Sequence, residues 1–433
     1  MLSVVIFALT AQPAAIILAT GILPLSDLSA ASEHRKNFPQ EDHPYVYYFT
    51  TGHLPEERRE DAITALRFTL PSVTLNPVVD SVLPTQVEGH DLYWVDIRGG
   101  GWEKVFYKSF STYPYSPVAI PMVIRADWFV VAALDASESD LYYNLLFGSR
   151  PKSRDQWLQT LGVDTNPRYS FGMIEGDSGV IVKKKRWMES FGIPRGYAWG
   201  TKDSSTITQD SDPLAHPDGS FRHEAEEWIV GIPKLHAASG RRGTLQVYLL
   251  SDAEGVVQEA APPDIATDHT GIRHGTRAVR NGISCVSCHV DGLNLPTQNE
   301  FRLLIESGVD VYAKKGVQKR LEAFHLSDLT PEIKRANEDY ETIVEAICGV
   351  PPTEAIAAFT RCVKFYDADL TIEEAAQEFG VTPEELIQAF AYGSSDGYPA
   401  RLALLAHGQK LPRQSWEQYY LQAYDSVKKW KEQ

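Results

Sequence analysis

Methionine is nearly missing from this 433-residue chain: Met1, Met122, Met173 and Met188 are the only four. Cysteine is equally scarce, with four in all, which excludes a disulfide framework as the means of holding so long a chain together. Positive charge is in deficit. Lys+Arg number 41 against 57 Asp+Glu, a net charge of −16. That balance argues against wrapping nucleic acid or docking broadly on an anionic membrane. Internal repeats and low-complexity tracts are lacking, and no second apolar run approaches the length of the one at the N-terminus. What is plentiful is core material: hydrophobic residues make up 43%, with 9 Trp, 20 Tyr and 17 Phe, so a packed globular protein is expected. The length suggests about two to three units.

The N-terminal run, residues 2 to 24, carries no charge. The small, polar stretch Ser26 to Ser32 follows, and Ser29-Ala30-Ala31 offers small residues for cleavage after Ala31. This reads as a signal peptide over residues 1–31, although no Lys or Arg precedes the apolar run. The alternative is an N-terminal membrane anchor, the run being close to the ~20 residues that span a bilayer. Either way the bulk of the chain is expected outside the cytoplasm, periplasmic or otherwise exported, with membrane association only through that segment.

Residues 40–265 mix short strand-like runs with helical patterns. Extended candidates are Tyr45–Thr50, Asp91–Arg98, Trp128–Leu134, Gly179–Lys183, Glu227–Ile232 and Leu245–Ser251, all rich in Val, Ile, Tyr or Trp. Pro55 opens a helical pattern with acids in its first turn, and Ser153 is placed to cap a helix ending at Gly162. Strands and helices do not alternate regularly, so the fold class expected is α+β. From about residue 300 the pattern turns helical. Thr330-Pro331-Glu332 is a helix start, and Ile333, Ala336, Tyr340, Ile343 and Ile347 mark one face. Thr371 to Glu374 and Thr382 to Glu385 are two capping boxes, with Gly380 between them, and a last helix holds Trp416, Tyr420, Ala423 and Val427. The expected organisation is an α+β region (40–265), an attachment segment (266–299) and a helical region (300–433).

The scarce cysteines carry the chemistry. Cys285, Cys288 and His289 form C-x-x-C-H. Two thiols three positions apart lie about one helical turn from each other. They can form thioethers to the two vinyl groups on one edge of a haem, and the following imidazole can project beneath the ring as the proximal iron ligand. A zinc site would need further ligands, and a thioredoxin-like pair would need a preceding strand within a βαβ unit. The expectation is one covalent haem c, with Cys285 and Cys288 as attachment points and His289 as axial ligand. Cys348 and Cys362 flank the turn at Pro351-Pro352, and in an oxidising compartment they are expected to form a disulfide across a helical hairpin. The sixth ligand is less legible, because no methionine follows His289. His223 is the first candidate and Met173, in a glycine-bounded loop, the second.

His216-Pro217-Asp218-Gly219, Phe221-Arg222-His223-Glu224, Gln246-Val247-Tyr248-Leu249 and Arg277-Ala278-Val279-Arg280-Asn281-Gly282, leading into the cysteines, together resemble a group of uncharacterised exported bacterial proteins with a single cytochrome c-type haem site. Arg125-Ala126-Asp127-Trp128-Phe129 resembles a further motif of that group. The resemblance spans most of residues 45 to 430. It departs where the paired glycines of the second motif are Ala225 and Glu226, and where a turn motif is replaced by Ile232 to Gly243. It implies a haem-bearing protein and no particular substrate; the candidacy of His223 rests on it.

The function expected is electron transfer by a monohaem c-type cytochrome. The alternatives are a haem-dependent redox enzyme, peroxidase-like or acting on a small substrate, and a haem-based sensor. A redox partner protein is expected, and nucleic acid is not. Between Lys364 and Arg401 the chain has acids but no Lys, Arg or His. Most of these acids read as helix-start residues, whereas Asp367 and Asp369, which precede the Thr371 cap, also suggest a docking face for a basic partner.

Overall fold

The structure, a computed structural model, describes residues 25–110, 113–116, 122–173, 186–194, 196–206, 208–213, 215–216, 219–294, 300–307, 329–393 and 401–432. Its elements run α1 (Leu25–Arg35), β1 (Val46–Thr50), α2 (Glu56–Ser72), β2 (Thr85–Gln86), β3 (Leu92–Asp96), β4 (Val123–Arg125), α3 (Ala126–Leu134), α4 (Leu141–Phe147) and α5 (Arg154–Leu161). Then come β5 (Asp164–Met173), β6 (Arg186–Gly192), β7 (Tyr197–Asp203), β8 (Ala225–His236), β9 (Arg241–Asp252) and β10 (Val257–Gln258). The remainder is helical: α6 (Ile283–Cys288), α7 (Glu300–Ser307), α8 (Thr330–Cys348), α9 (Pro352–Asp367), α10 (Ile372–Glu378), α11 (Pro383–Gly393), α12 (Ala403–Ala406) and α13 (Arg413–Lys431).

The chain is α+β. A four-stranded sheet has the order β2-β3-β1-β4, with β1 antiparallel to β3 and parallel to β4. A six-stranded sheet, β10-β9-β8-β7-β6-β5, is antiparallel throughout, as successive hairpins require. Segments 40–265, 266–299 and 300–433 do not have separate cores. One buried cluster includes Phe49, Leu249, Cys285, Phe359 and Val427; Phe68 of α2 packs on Phe359 of α9, for example.

Local sequence chemistry decides many boundaries. Ser153 accepts from Gln156 N at the start of α5, and Gly162 closes that helix with φ of 70°. Thr371 and Glu374 form a reciprocal capping box, as do Thr382 and Glu385. The expected faces of α8 and α13 are buried, although Thr330 is the first helical residue and Leu329 stands at the cap.

Two expectations are corrected. Trp128–Leu134 is helical, within α3, and not a strand. All nine residues of α3 are buried, so there is no polar face to reveal a helical period, and a short Val- and aromatic-rich run is ambiguous. Within α1, Leu28, Ala30 and Ala31 pack on Val46, Tyr48 and Val123, and Asp27 accepts a hydrogen bond from Thr50. Residues 1–24 and Gly179–Lys183 lie outside the described residues.

The second correction is the disulfide. Cys348 and Cys362 are both buried, unpaired thiols. Cys348 ends α8 at the hairpin turn, while Cys362 is ten residues beyond Pro352, about 15 Å along α9 at the usual helical rise. A disulfide needs Cα atoms within about 7 Å. Alkylation of the unfolded, unreduced protein is therefore expected to label both positions; recovery of a Cys348–Cys362 linked peptide would count against this packing.

The two acids of the expected docking face differ in their surroundings. Asp367 accepts from Arg273 Nε and Nη2 at 3.2 and 3.1 Å and from the His274 amide, while Asp369 lies 3.7 Å from His274 Nδ1. Asp367 thus ties the segment at Arg273 to the end of α9, while Asp369 stays partly exposed.

Candidate functional site

The segment leading to C-x-x-C-H is fixed before the helix starts. Arg273 and Arg280 converge on the fully buried Asp135, at 2.8 and 3.2 Å, and both reach Glu138. Burial raises the Asp135 carboxyl to about 6 despite both arginines. Asn281, also fully buried, donates its side-chain amide to Tyr143 Oη at 2.8 Å and its backbone N–H to Glu259 O at 2.9 Å. Gly282 then adopts φ of 84°, and a Cβ there would lie 2.2 Å from Leu134 O. Only glycine permits both the left-handed turn and this approach of α6 to the end of α3.

Within α6, Ser284 Oγ accepts from Arg280 N at 3.0 Å and donates to Asp268 Oδ2 at 2.8 Å. The helix therefore starts on side-chain as well as backbone bonds. Cys285 and Cys288 sit one turn apart. Cys285 is buried and Cys288 half-buried. Burial pushes the Cys285 thiol well above its ordinary range and the Cys288 thiol up to about 12. Among the described residues no group of three His, Cys, Asp or Glu side chains is placed to hold a metal ion.

His289 follows directly, with its backbone N–H bonded to Cys285 O at 2.9 Å. Its Nδ1 lies 2.9 Å from the Gly292 carbonyl. A carbonyl only accepts, so Nδ1 carries the proton and Nε2 keeps its lone pair. The turn that supplies this carbonyl is itself held. Asn337 of α8 accepts from Leu293 N at 2.7 Å and donates to Leu293 O at 2.8 Å. Gly292 has φ of 99°, and a Cβ there would lie 2.6 Å from Asn337 Oδ1. Burial lowers the His289 pKa and favours the neutral ring. The donor set fits a thioether-linked haem on these grounds: two thiols one turn apart, and a neutral imidazole with its tautomer locked so that Nε2 is the ligating atom.

Nε2 of His289 faces β8. The Tyr248 ring stands 5.9 Å from the imidazole, and Glu227 Oε1 lies 4.0 Å from Nε2. Glu227 Oε2 accepts from Arg186 Nη2 at 3.1 Å, and Arg186 makes a two-pronged pair with Asp203 at 2.9 and 2.8 Å.

The candidate His223 lies elsewhere. Its Nε2 is 2.9 Å from Glu226 Oε1, and Glu226 also receives Arg154 Nη1 and Trp228 Nε1. Adjacent residues of a strand point to opposite faces, so Glu226 carries His223 on one face of the sheet while Glu227 and His289 meet on the other. The structure does not bring His223 and His289 together. The side chain of Met173 lies outside the described residues; its backbone ends β5, opposite Arg186.

Sequence reasoning missed Glu227, Arg186, Asn337 and Gly292. One signal was present. Ala225-Glu226-Glu227-Trp228-Ile229 places two carboxylates inside an apolar strand, and buried acids require partners. No protein-family model, curated protein or solved structure matches the chain.

Proposed function

We propose that the protein is an exported monohaem c-type cytochrome that transfers electrons to or from a partner protein. The single observation that carries this reading is C-x-x-C-H on a one-turn helix whose histidine is locked by Gly292 for ligation through Nε2. Cys285 and Cys288 hold the haem by two thioethers, and His289 binds its iron. The bound group supplies one-electron redox chemistry at a potential that burial and the charges around Nε2 adjust. The chain supplies a rigid seat, through Asp135, Asp268 and Asn337, and a shield from solvent. The resemblance to exported bacterial haem proteins supports the same reading. With a net charge of −16, the protein suits a basic redox partner better than an acidic one.

A second reading, haem-dependent chemistry on a small molecule, is favoured by one feature: Glu227 and Arg186 stand on the Nε2 side of His289. The optical spectrum separates the two. If the protein only transfers electrons, the reduced protein is low-spin and carbon monoxide leaves its spectrum unchanged. Rapid carbon monoxide binding by the reduced protein points to small-molecule chemistry. A colourless, folded protein from a host with haem maturation machinery refutes both.

A further inference from the structure

Two heteroatoms at this site are each left free by a tether on their partner atom. Nδ1 of His289 is held by Gly292 O, leaving Nε2; Oε2 of Glu227 is held by Arg186, leaving Oε1. These free atoms point at each other across 4.0 Å. A direct hydrogen bond between them would be about 2.7–3.2 Å long, so the gap is too wide for one. Bonds from a metal ion to imidazole nitrogen and to carboxylate oxygen are each about 2 Å. Two such bonds end to end span the observed gap.

We propose that Glu227 is the sixth ligand of the haem iron, binding through Oε1 on the side opposite His289. This inference rests on the haem reading above. The strand supplies the rigidity a ligand needs. Glu227 N and Thr201 Oγ1 are 3.2 Å apart, and the residue sits in a continuous row of pairs between β7 and β9. Arg186 fixes the far oxygen without cancelling the whole negative charge, because its Nη2 is shared between Glu227 and Asp203, and its Nε also goes to Asp203. Tyr248 flanks the imidazole and is itself oriented by a 2.7 Å bond from its hydroxyl to Gln246 Oε1. An anionic oxygen ligand is weak-field and favours ferric over ferrous iron. Glu227 ligation therefore makes the ferric protein high-spin and its sixth position exchangeable once the iron is reduced. The consequence is a site for a small neutral ligand in the reduced state, which a thioether or second imidazole would block; of the two haem readings above, Glu227 ligation therefore favours small-molecule chemistry over electron transfer alone.

The test uses the full-length, haem-loaded protein. Haem stain after denaturing electrophoresis comes first: if no haem is retained, the haem reading itself fails, independently of Glu227. With haem retained, the ferric wild type is expected to be high-spin by optical and electron paramagnetic resonance spectra. Glu227→His should convert it to a low-spin, two-imidazole spectrum. Glu227→Gln should raise ferric affinity for added imidazole by at least about tenfold. Asp203→Asn loosens the same Arg186 network without touching Oε1, and should leave spin state unchanged and imidazole affinity within about twofold. A low-spin ferric wild type whose spectrum survives Glu227→Gln overturns the proposal. So does an Asp203→Asn effect as large as that of Glu227→Gln, since Glu227 would then act only through the network.

Discussion

Replacing both Cys285 and Cys288 by serine is expected to abolish covalent haem completely. The wild-type chain, made in a host with haem maturation machinery, should keep one haem through denaturing electrophoresis, and the double variant should keep none. Two thioethers are the only bonds in the proposed site that survive denaturation, since the His289 link to iron is a coordination bond. His289→Ala therefore has a different expected result: the haem stays attached while the optical spectrum changes. This pair of outcomes separates attachment from ligation. The variants should fold, because serine is close in size to cysteine and α6 is anchored by Ser284, Asn281 and the Arg273–Asp135 and Arg280–Asp135 pairs. Haem that survives denaturation in the double variant would falsify the assignment of these two cysteines.

Arg125→Met is expected to cost about 3–5 kcal/mol of stability, because it strips the cation from a buried ion network. Arg125 pairs with Asp127 at 2.8 Å and with Glu378 at 2.7 Å, and all three side chains are buried. His53 stands 3.0 Å from Asp127, and Arg413 2.6 Å from Glu378. Trp416 Nε1 also donates to Glu378 at 2.7 Å, and the Arg125 guanidinium lies 4.2 Å from the centre of the Tyr115 ring. Without Arg125, Asp127 and Glu378 keep their burial and lose their shared counter-charge. The readout is the urea midpoint by tryptophan fluorescence, with the slope unchanged; a loss under about 1 kcal/mol would contradict this account of the network.

The same network sets an acid limit. Burial opposes ionisation of Glu378, but Arg125 and Arg413 outweigh it and hold the carboxyl at about 2, below the ordinary 4.5. A carboxyl depressed in the folded state stabilises the fold above its unfolded pKa, and that stability is lost as pH falls through the folded value. Stability should therefore decline from about pH 4.5 towards pH 2. Arg413→Met should shift acid unfolding to higher pH, which acid titration of the far-UV circular dichroism checks.

Local chemistry made much of this protein legible in its sequence. Ser153, Gly162, Thr371 and Thr382 specify helix ends, because caps satisfy backbone groups with side chains only a few residues away. The buried faces of α8 and α13 follow from their helical period. The proposed attachment residues are legible for the same reason: Cys285, Cys288 and His289 need only one another's spacing. Other features depended on partners distant in the chain. α3 has no exposed face, so its period carried no signal, and only packing against α2 and the sheet made it a helix. Cys348 and Cys362 read as a pair, but the length of α9 carries Cys362 away from the turn. Asp367 and Asp369 read as a surface patch, but Asp367 is paired with Arg273, over 90 residues earlier, and Asp369 lies 3.7 Å from the His274 ring. The Nε2 side of His289 belongs to the tertiary structure most of all. Glu227 lies 62 positions before His289 and Asn337 lies 48 after it, and strand alternation turns Glu227 towards the imidazole while its neighbour Glu226 takes His223 to the opposite face. No spacing rule encodes that, because the separation is set by the register of a six-stranded sheet against one short helix.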